Sequence, residues 1–193
     1  MRLGAVILAA GAGMRLGGVA KALLAGRDGR SFLASIAATA RGVGAQDVVV
    51  VVGPPHEQLV AAHARELALA VARNPEPERG MASSIAVGFA AIAHTACDAA
   101  WLWPVDHPDV REATLRELVV ELAGHDAARP VVGGSGGHPP LVARALFARL
   151  AACDTADGGA RAVLAAARTR DVAVDDAGCV RDVDTAADLE AAT

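Results

Sequence analysis

The chain alternates between short, uninterrupted apolar runs and longer stretches whose apolar residues recur at helical spacing. Val6-Ile7-Leu8, Asp47-Val48-Val49-Val50-Val51-Val52 and Ala99-Ala100-Trp101-Leu102-Trp103 are runs of the first kind. A strand covered by helices on both faces needs no polar alternation, so these runs predict central parallel strands. Phe32 to Ala40, His56 to Leu67, Ala82 to His94 and Thr114 to Leu122 carry the helical pattern instead. Strand and helix alternate to about Val132. That order predicts an α/β fold: βαβ units in a single doubly wound, Rossmann-like, mostly parallel sheet, with ligands beyond the carboxyl ends of the strands.

Past Val132 the pattern loosens. Leu141 to Ala152 and Gly159 to Arg168 predict helices, Asp171 to Val174 and Val180 to Val183 short strands, and Asp184 to Ala192 a closing helix capped by Asp184 or Thr185. Turn chemistry marks loops at 74–80 and 133–140. The 193 residues suit one domain.

Composition narrows the partners. Hydrophobic residues make up 53%, yet no apolar run approaches the roughly 20 residues of a membrane span. A net charge of −4 offers no basic face for nucleic acid. Cys97, Cys153 and Cys179 lie far apart, without the spacing of a disulfide framework or zinc site. The expectation is a soluble protein of a reducing cytoplasm that handles a small molecule, with neither nucleic acid nor membrane as partner. Of the 18 basic residues 17 are arginine, and the one lysine, Lys21, falls in a glycine-rich segment.

That segment, Leu8-Ala9-Ala10-Gly11-Ala12-Gly13-Met14-Arg15-Leu16-Gly17-Gly18-Val19-Ala20-Lys21, follows the first predicted strand. Small residues let backbone N–H groups approach a phosphate chain, and Arg15 and Lys21 supply positive charge. Two better-known phosphate loops fail on spacing. A dinucleotide fingerprint requires glycine where Leu16 stands. A Walker A loop is nearly met by Gly13 and Gly18, but Val19-Ala20 follow where Lys and Ser or Thr belong.

Asp106, in Trp103-Pro104-Val105-Asp106-His107-Pro108-Asp109, sits just past a central strand. There a carboxylate faces the ligand crevice and suits a divalent cation, though turn-forming aspartates share the position. His107, beside a proline in a turn, reads as positional. In Arg181-Asp182-Val183-Asp184-Thr185 strand alternation directs at most one carboxylate at the crevice, and Asp184 is also a natural helix cap. Gly80-Met81-Ala82-Ser83-Ser84 opens a helix whose N-terminus fits a base or phosphate, or only an ordinary serine cap. Gly137-His138-Pro139-Pro140 follows glycines flexible enough for a lid, an acceptor-binding segment or an uninvolved loop.

In order along the chain, these segments resemble the MobA-like nucleotidyltransferases, and among them the molybdenum cofactor cytidylyltransferases. The resemblance rests on Leu8-Ala9-Ala10-Gly11 with Arg15, Gly17 and Lys21; Asn74-Pro75 with Gly80-Met81-Ala82-Ser83-Ser84 and Gly88; Asp106-His107-Pro108; Gly137-His138-Pro139; and Asp182-Val183-Asp184-Thr185. Ala186, where the family usually has proline, and His107, where an apolar residue is common, depart from it without removing a charged group.

The resemblance implies a fold of the nucleotide-diphospho-sugar transferase type, with an NTP-binding part over about 1–110 and an acceptor-binding part over about 111–193. It implies transfer of CMP from CTP to the phosphate of molybdopterin, with Mg²⁺ as cofactor, release of pyrophosphate and a molybdoenzyme as possible recipient. Leu8, Ala9, Ala10, Gly11, Ala12, Gly13, Arg15, Lys21 and Ser84 would bind the nucleotide. Arg15, Lys21 and Asp106 would be catalytic, Asp106 and Asp184 would hold the metal, and Gly137, His138 and Asp182 would meet the acceptor. In the family Leu-Ala-Ala-Gly accompanies CTP and Leu-Ala-Gly-Gly GTP, so the resemblance puts Ala10 on the side of CTP; a methyl there would crowd a purine more than a pyrimidine, which gives the trend a physical sense. Other acceptors such as a sugar or polyol phosphate, GTP as donor, and a non-catalytic carrier of cofactor are the competing readings.

Overall fold

The computed structural model describes residues 1–26, 28–185 and 188, with the backbone alone at Arg15. Among them, eight strands form one sheet: β1 (Leu3–Leu8), β2 (Ala45–Val52), β3 (Ala70–Arg73), β4 (Ala99–Pro104), β5 (Ala127–Val132), β6 (Ser135–Gly136), β7 (Leu141–Ala143) and β8 (Thr169–Ala173). The order is β3-β2-β1-β4-β7-β5-β6, with β8 beside β5. β3, β2, β1 and β4 run parallel, β7 is antiparallel to both β4 and β5, and β8 is parallel to β5. The architecture is the doubly wound one expected, of the nucleotide-diphospho-sugar transferase type, with one reversed strand set into it.

Six helices cover the sheet: α1 (Phe32–Gly42), α2 (Glu57–Glu66), α3 (Met81–Ile92), α4 (Glu112–Glu121), α5 (Phe147–Ala151) and α6 (Gly159–Ala165). β1 shows why its sequence is apolar throughout. Leu3, Ala5 and Ile7 join one core with α1, α2 and α4, while Val6 and Leu8 join the other with α3 and α5. Successive side chains point to opposite faces and both faces are dry. The α3 side is the closer contact: a Cβ on Gly88 would strike Val6 Cγ1 and approach Val51 Cγ2 to 2.8 Å, so only glycine lets the helix backbone settle there.

Two expectations in the last third need correction. Leu141 to Ala143 is strand β7, registered Leu141↔Trp101 and Ala143↔Ala99, rather than the start of a helix; α5 begins only at Phe147. Pairing to a central strand overrides a local helical pattern. Val180 to Val183 forms no strand. Asp176 accepts from Arg111 N and Gly178 N, a 3-10 turn follows at Ala177–Cys179, and Val183 N reaches Asp106 O at 2.9 Å. Thr185 and Asp188 exchange capping hydrogen bonds, Thr185 N to Asp188 Oδ2 at 2.8 Å and Asp188 N to Thr185 Oγ at 3.2 Å. The remainder of the expected closing helix lies outside the described residues. No helix among the described residues is long and apolar enough to cross a membrane.

Candidate active site

Leu8 and Pro104 end β1 and β4 side by side, and Val105 N donates to Leu8 O at 3.1 Å. The chain turns toward β2 from one strand and away from it after the other, so the crevice at their carboxyl ends is the topological switch point. Opening there is a cavity of about 360 Å³. Leu8, Ala9, Ala10, Gly11, Ala12, Gly13, Lys21, Ser84, Asp106 and Asp184 line it, together with Met81, Pro77 and Gly80.

The glycine-rich segment folds around one carbonyl: Gly13 O accepts from both Leu16 N and Gly18 N at 3.0 Å. Gly13 holds a left-handed φ of 62°, and a Cβ there would collide with Val19 O. A side chain is excluded on both counts. The side chain of Arg15 lies outside what the structure describes. Lys21 begins a 3-10 turn and its ammonium bridges the two carboxylates, donating to Asp106 Oδ2 at 3.3 Å and closely to Asp184 Oδ1. Its side chain is only 15% exposed and each partner 22%, which shields the cluster from bulk water. Asp182, by contrast, is exposed and lines neither this cavity nor the next.

Asp106 Oδ1 is buried without a hydrogen-bond partner, and His107 Nε2 stands 3.9 Å from it. A buried carboxylate oxygen left without a donor is suited to a cation. Among the described residues no group of three or more His, Cys, Asp and Glu gathers around a common point. Two carboxylates without a third are what a magnesium ion shared with substrate phosphates requires, and too few for a cation held by protein alone. Asp106 and Asp184 therefore fit such an ion.

Asn74 is a residue that the sequence alone did not single out for the site. It is buried, and its Nδ2 donates to Ser83 Oγ at 2.8 Å and Ser84 Oγ at 2.9 Å while its Oδ1 accepts from Glu76 N. Since Ser84 accepts from Asn74, its own hydroxyl proton remains to donate toward the cavity. The signal available was an Asn-Pro at a strand end, which reads as an ordinary turn.

Around the edge of α3 lies a second cavity of about 940 Å³, sharing Met81 with the first. Gly137 and His138 line it, with a mixed wall in which Ala82, Ile85, Leu102 and Leu164 are apolar and Arg129, Arg161 and Asp171 are charged. His138 Nδ1 is buried without a partner, and burial together with the neighbouring His107 lowers its pKa to about 4. The two rings are 5.1 Å apart. His107 itself is structural: Nδ1 donates to Gly178 O at 3.2 Å, and its carbonyl accepts from Trp103 Nε1 at 2.9 Å. The thiols are far from nucleophilic, burial raising Cys97 to about 11 and Cys179 to about 12.

Comparison with known proteins places the fold in a family. The MobA-like NTP transferase domain matches residues 5–172. Nicotine blue oxidoreductase from Paenarthrobacter nicotinovorans is 34% identical over 169 residues, 82% of this chain and 79% of that protein. The crystal structure of Rv0371c from Mycobacterium tuberculosis H37Rv superposes with a TM-score of 0.80 at 29% identity, covering 99% of this chain and 97% of that one. A structure of Rv0371c in complex with manganese gives 0.72 at 25% identity, covering 99% and 97%. A nucleotidyl transferase from Methanothermobacter thermautotroptrophicus gives 0.81 at 21% identity over 98% of this chain and 95% of that one, a likeness of fold.

Proposed function

This chain belongs to the MobA-like NTP transferase family, and from that premise we propose that it transfers CMP from CTP to the terminal phosphate of molybdopterin, with Mg²⁺ held by Asp106 and Asp184. The observation that carries the reading is the meeting of a glycine-rich loop, one shielded ammonium and two carboxylates in a single cavity. Dividing the work, loop N–H groups and Lys21 hold the β- and γ-phosphates, and Ala10 and Ser84 face the base. The methyl of Ala10 favours a pyrimidine, and the Ser84 hydroxyl offers a donor to a base carbonyl or ring nitrogen.

The second cavity supplies an acceptor position adjoining the first. Its mixed lining supports a fused heterocycle: Ala82, Ile85 and Leu164 offer a surface to its faces, and Arg129, Arg161 and Asp171 offer hydrogen-bond partners to its polar edges. Gly137 and His138 contact that body in this reading; Asp182, being exposed, takes part at most at the rim.

In the reaction an oxygen of the acceptor phosphate forms a bond to the α-phosphorus of CTP, and the bond from that phosphorus to the bridging oxygen breaks, releasing pyrophosphate. A phosphate monoester is largely dianionic at neutral pH, so no general base is required. The structural role of His107 is consistent with that. When bound, the metal offsets charge on the phosphate oxygens and fixes their geometry. Lys21 stabilises the charge that gathers on the departing pyrophosphate, and the carboxylates hold their positions through Val183 N to Asp106 O and the Thr185–Asp188 cap.

The relative named an oxidoreductase makes the reaction class the first thing to test. Purified protein is incubated with Mg²⁺ and each of CTP, GTP, ATP and UTP, with and without molybdopterin, and pyrophosphate and product mass are measured. Release from CTP above the other nucleotides, dependent on molybdopterin and yielding the dinucleotide mass, is expected. Release with none of them overturns the reading, and oxidation or reduction of nicotine blue without pyrophosphate would replace it.

A further inference from the structure

The structure assigns Lys21 a second role: in the nucleotide-free protein its ammonium stands in for the divalent cation between Asp106 and Asp184, so that metal is admitted only when a triphosphate draws the lysine away. This rests on the metal site proposed above and adds an order to it.

Three observations carry it. Nζ is bonded to Asp106 Oδ2 and Asp184 Oδ1, and the unpartnered Asp106 Oδ1 belongs to the same carboxylate, so a cation shared by the two side chains lies beside Nζ. A magnesium ion sits about 2.0–2.1 Å from its oxygen ligands, so an ion between these carboxylates and Nζ at its present place would share the same small volume as two positive charges. The occupants exclude each other. The cluster is also mostly buried, so water does little to screen that repulsion.

The means of exchange is visible as well. Lys21 is carried at the end of the glycine-rich segment, where Gly13, Gly17 and Gly18 all adopt left-handed backbone angles, and its ammonium reaches the carboxylates across the cavity where the phosphates would lie. A triphosphate arriving in that loop offers several anionic oxygens in exchange for two carboxylates. The lysine moves to the phosphates, and the vacated carboxylates become metal ligands. An alkylammonium has three rotatable donors on a flexible stem, which suits it to change partners; a guanidinium fork would not follow as readily. In a chain with arginine at 17 of 18 basic positions, lysine is the one chosen here.

The test is direct binding of Mn²⁺, followed by the electron paramagnetic resonance of the free ion, to wild type, Lys21→Met and Lys21→Met/Asp106→Asn, each without nucleotide and with a non-hydrolysable CTP analogue. Wild type is expected to bind Mn²⁺ weakly alone and tightly with the analogue. Lys21→Met should bind it without nucleotide on the order of tenfold more tightly than wild type, since a competing charge is gone. The double variant should lose that gain. Thermal melting gives an independent readout and checks folding: Mn²⁺ alone should raise the midpoint of Lys21→Met and leave wild type unmoved. Equal nucleotide-free affinities for wild type and Lys21→Met overturn the inference while leaving the metal site standing. Failure of wild type to bind Mn²⁺ even with the analogue removes the metal site, and the inference with it.

Discussion

Among single residues, Asp106 combines two properties that seldom coexist: one oxygen is paired with Lys21 and the other is buried without a donor. Asp106→Asn preserves shape and removes charge. It is expected to lower turnover by about a thousandfold, as loss of a transition-state charge partner does, while circular dichroism and the melting midpoint stay near wild type. Unaltered turnover would detach Asp106 from the chemistry. His138 gives a pH signature of its own. Its pKa, about 4 against an ordinary 6.5, is lowered first by burial and then by His107. The unfolded chain takes up a proton below about 6.5 that the folded chain refuses until about 4. Stability present above that window is therefore lost as pH falls through it, by up to roughly 3 kcal/mol. Urea midpoints at pH 7.5 and 4.5 should fall less for His138→Gln than for wild type. At this scale the glycine loop and Lys21 were legible from residue chemistry, whereas Asp106 and Asp184 were expected together through the family resemblance, since an aspartate after a strand serves equally as a turn former or a cap; the structure gathers the three in one cavity. Asn74-Pro75 was noticed only as part of that resemblance, because the amide's hold on two serines is made by tertiary contact.

At the scale of elements, α3 carries the division between base and acceptor. Its N-terminal turn presents Met81 and Ser84 to the nucleotide cavity, and Met81, Ala82 and Ile85 to the second. Asn74 ties that turn to the end of β3 through Ser83 and Ser84. Asn74→Ala is expected to raise KM for CTP several-fold more than it lowers kcat, because it loosens base positioning and leaves the phosphate contacts alone; an equal loss in both would assign Asn74 to the chemical step. β1, β2 and β4 were readable because they are long apolar runs buried between two layers of helices. β3 escaped notice because it is a short, half-exposed edge strand whose apolar residues continue the run Leu67 to Ala72 out of the preceding helix, and β7 because its strand character comes from Trp101 and Ala128 across the sheet rather than from its own residues.

On the scale of the whole molecule, the two cavities share Met81, and in the proposed reading they hold the two substrates side by side. Filling the far rim of the second should disturb only one of them. Ala165→Trp, at an exposed position on α6, is expected to raise KM for the acceptor about tenfold with CTP affinity unchanged by calorimetry; reduced CTP affinity would contradict the separation. The α/β class followed from the alternation of patterns, whereas the strand order and the position of the reversed strand depended on pairings 15 to 40 residues apart, Ala127↔Val142 and Trp101↔Leu141, for which no local signal exists.

That reversed strand stops early. β7 ends its ladder to β4 at Leu141, with a last bond from Leu102 N to Pro140 O, and the preceding Pro139 and Pro140 have no amide hydrogens to continue it. The second cavity opens where that ladder stops, with Leu102, His138 and Pro140 in its lining. Replacing both prolines by residues able to donate should let the ladder zip one or two pairs further, seen as new slow-exchanging amides, and should close the room an acceptor needs.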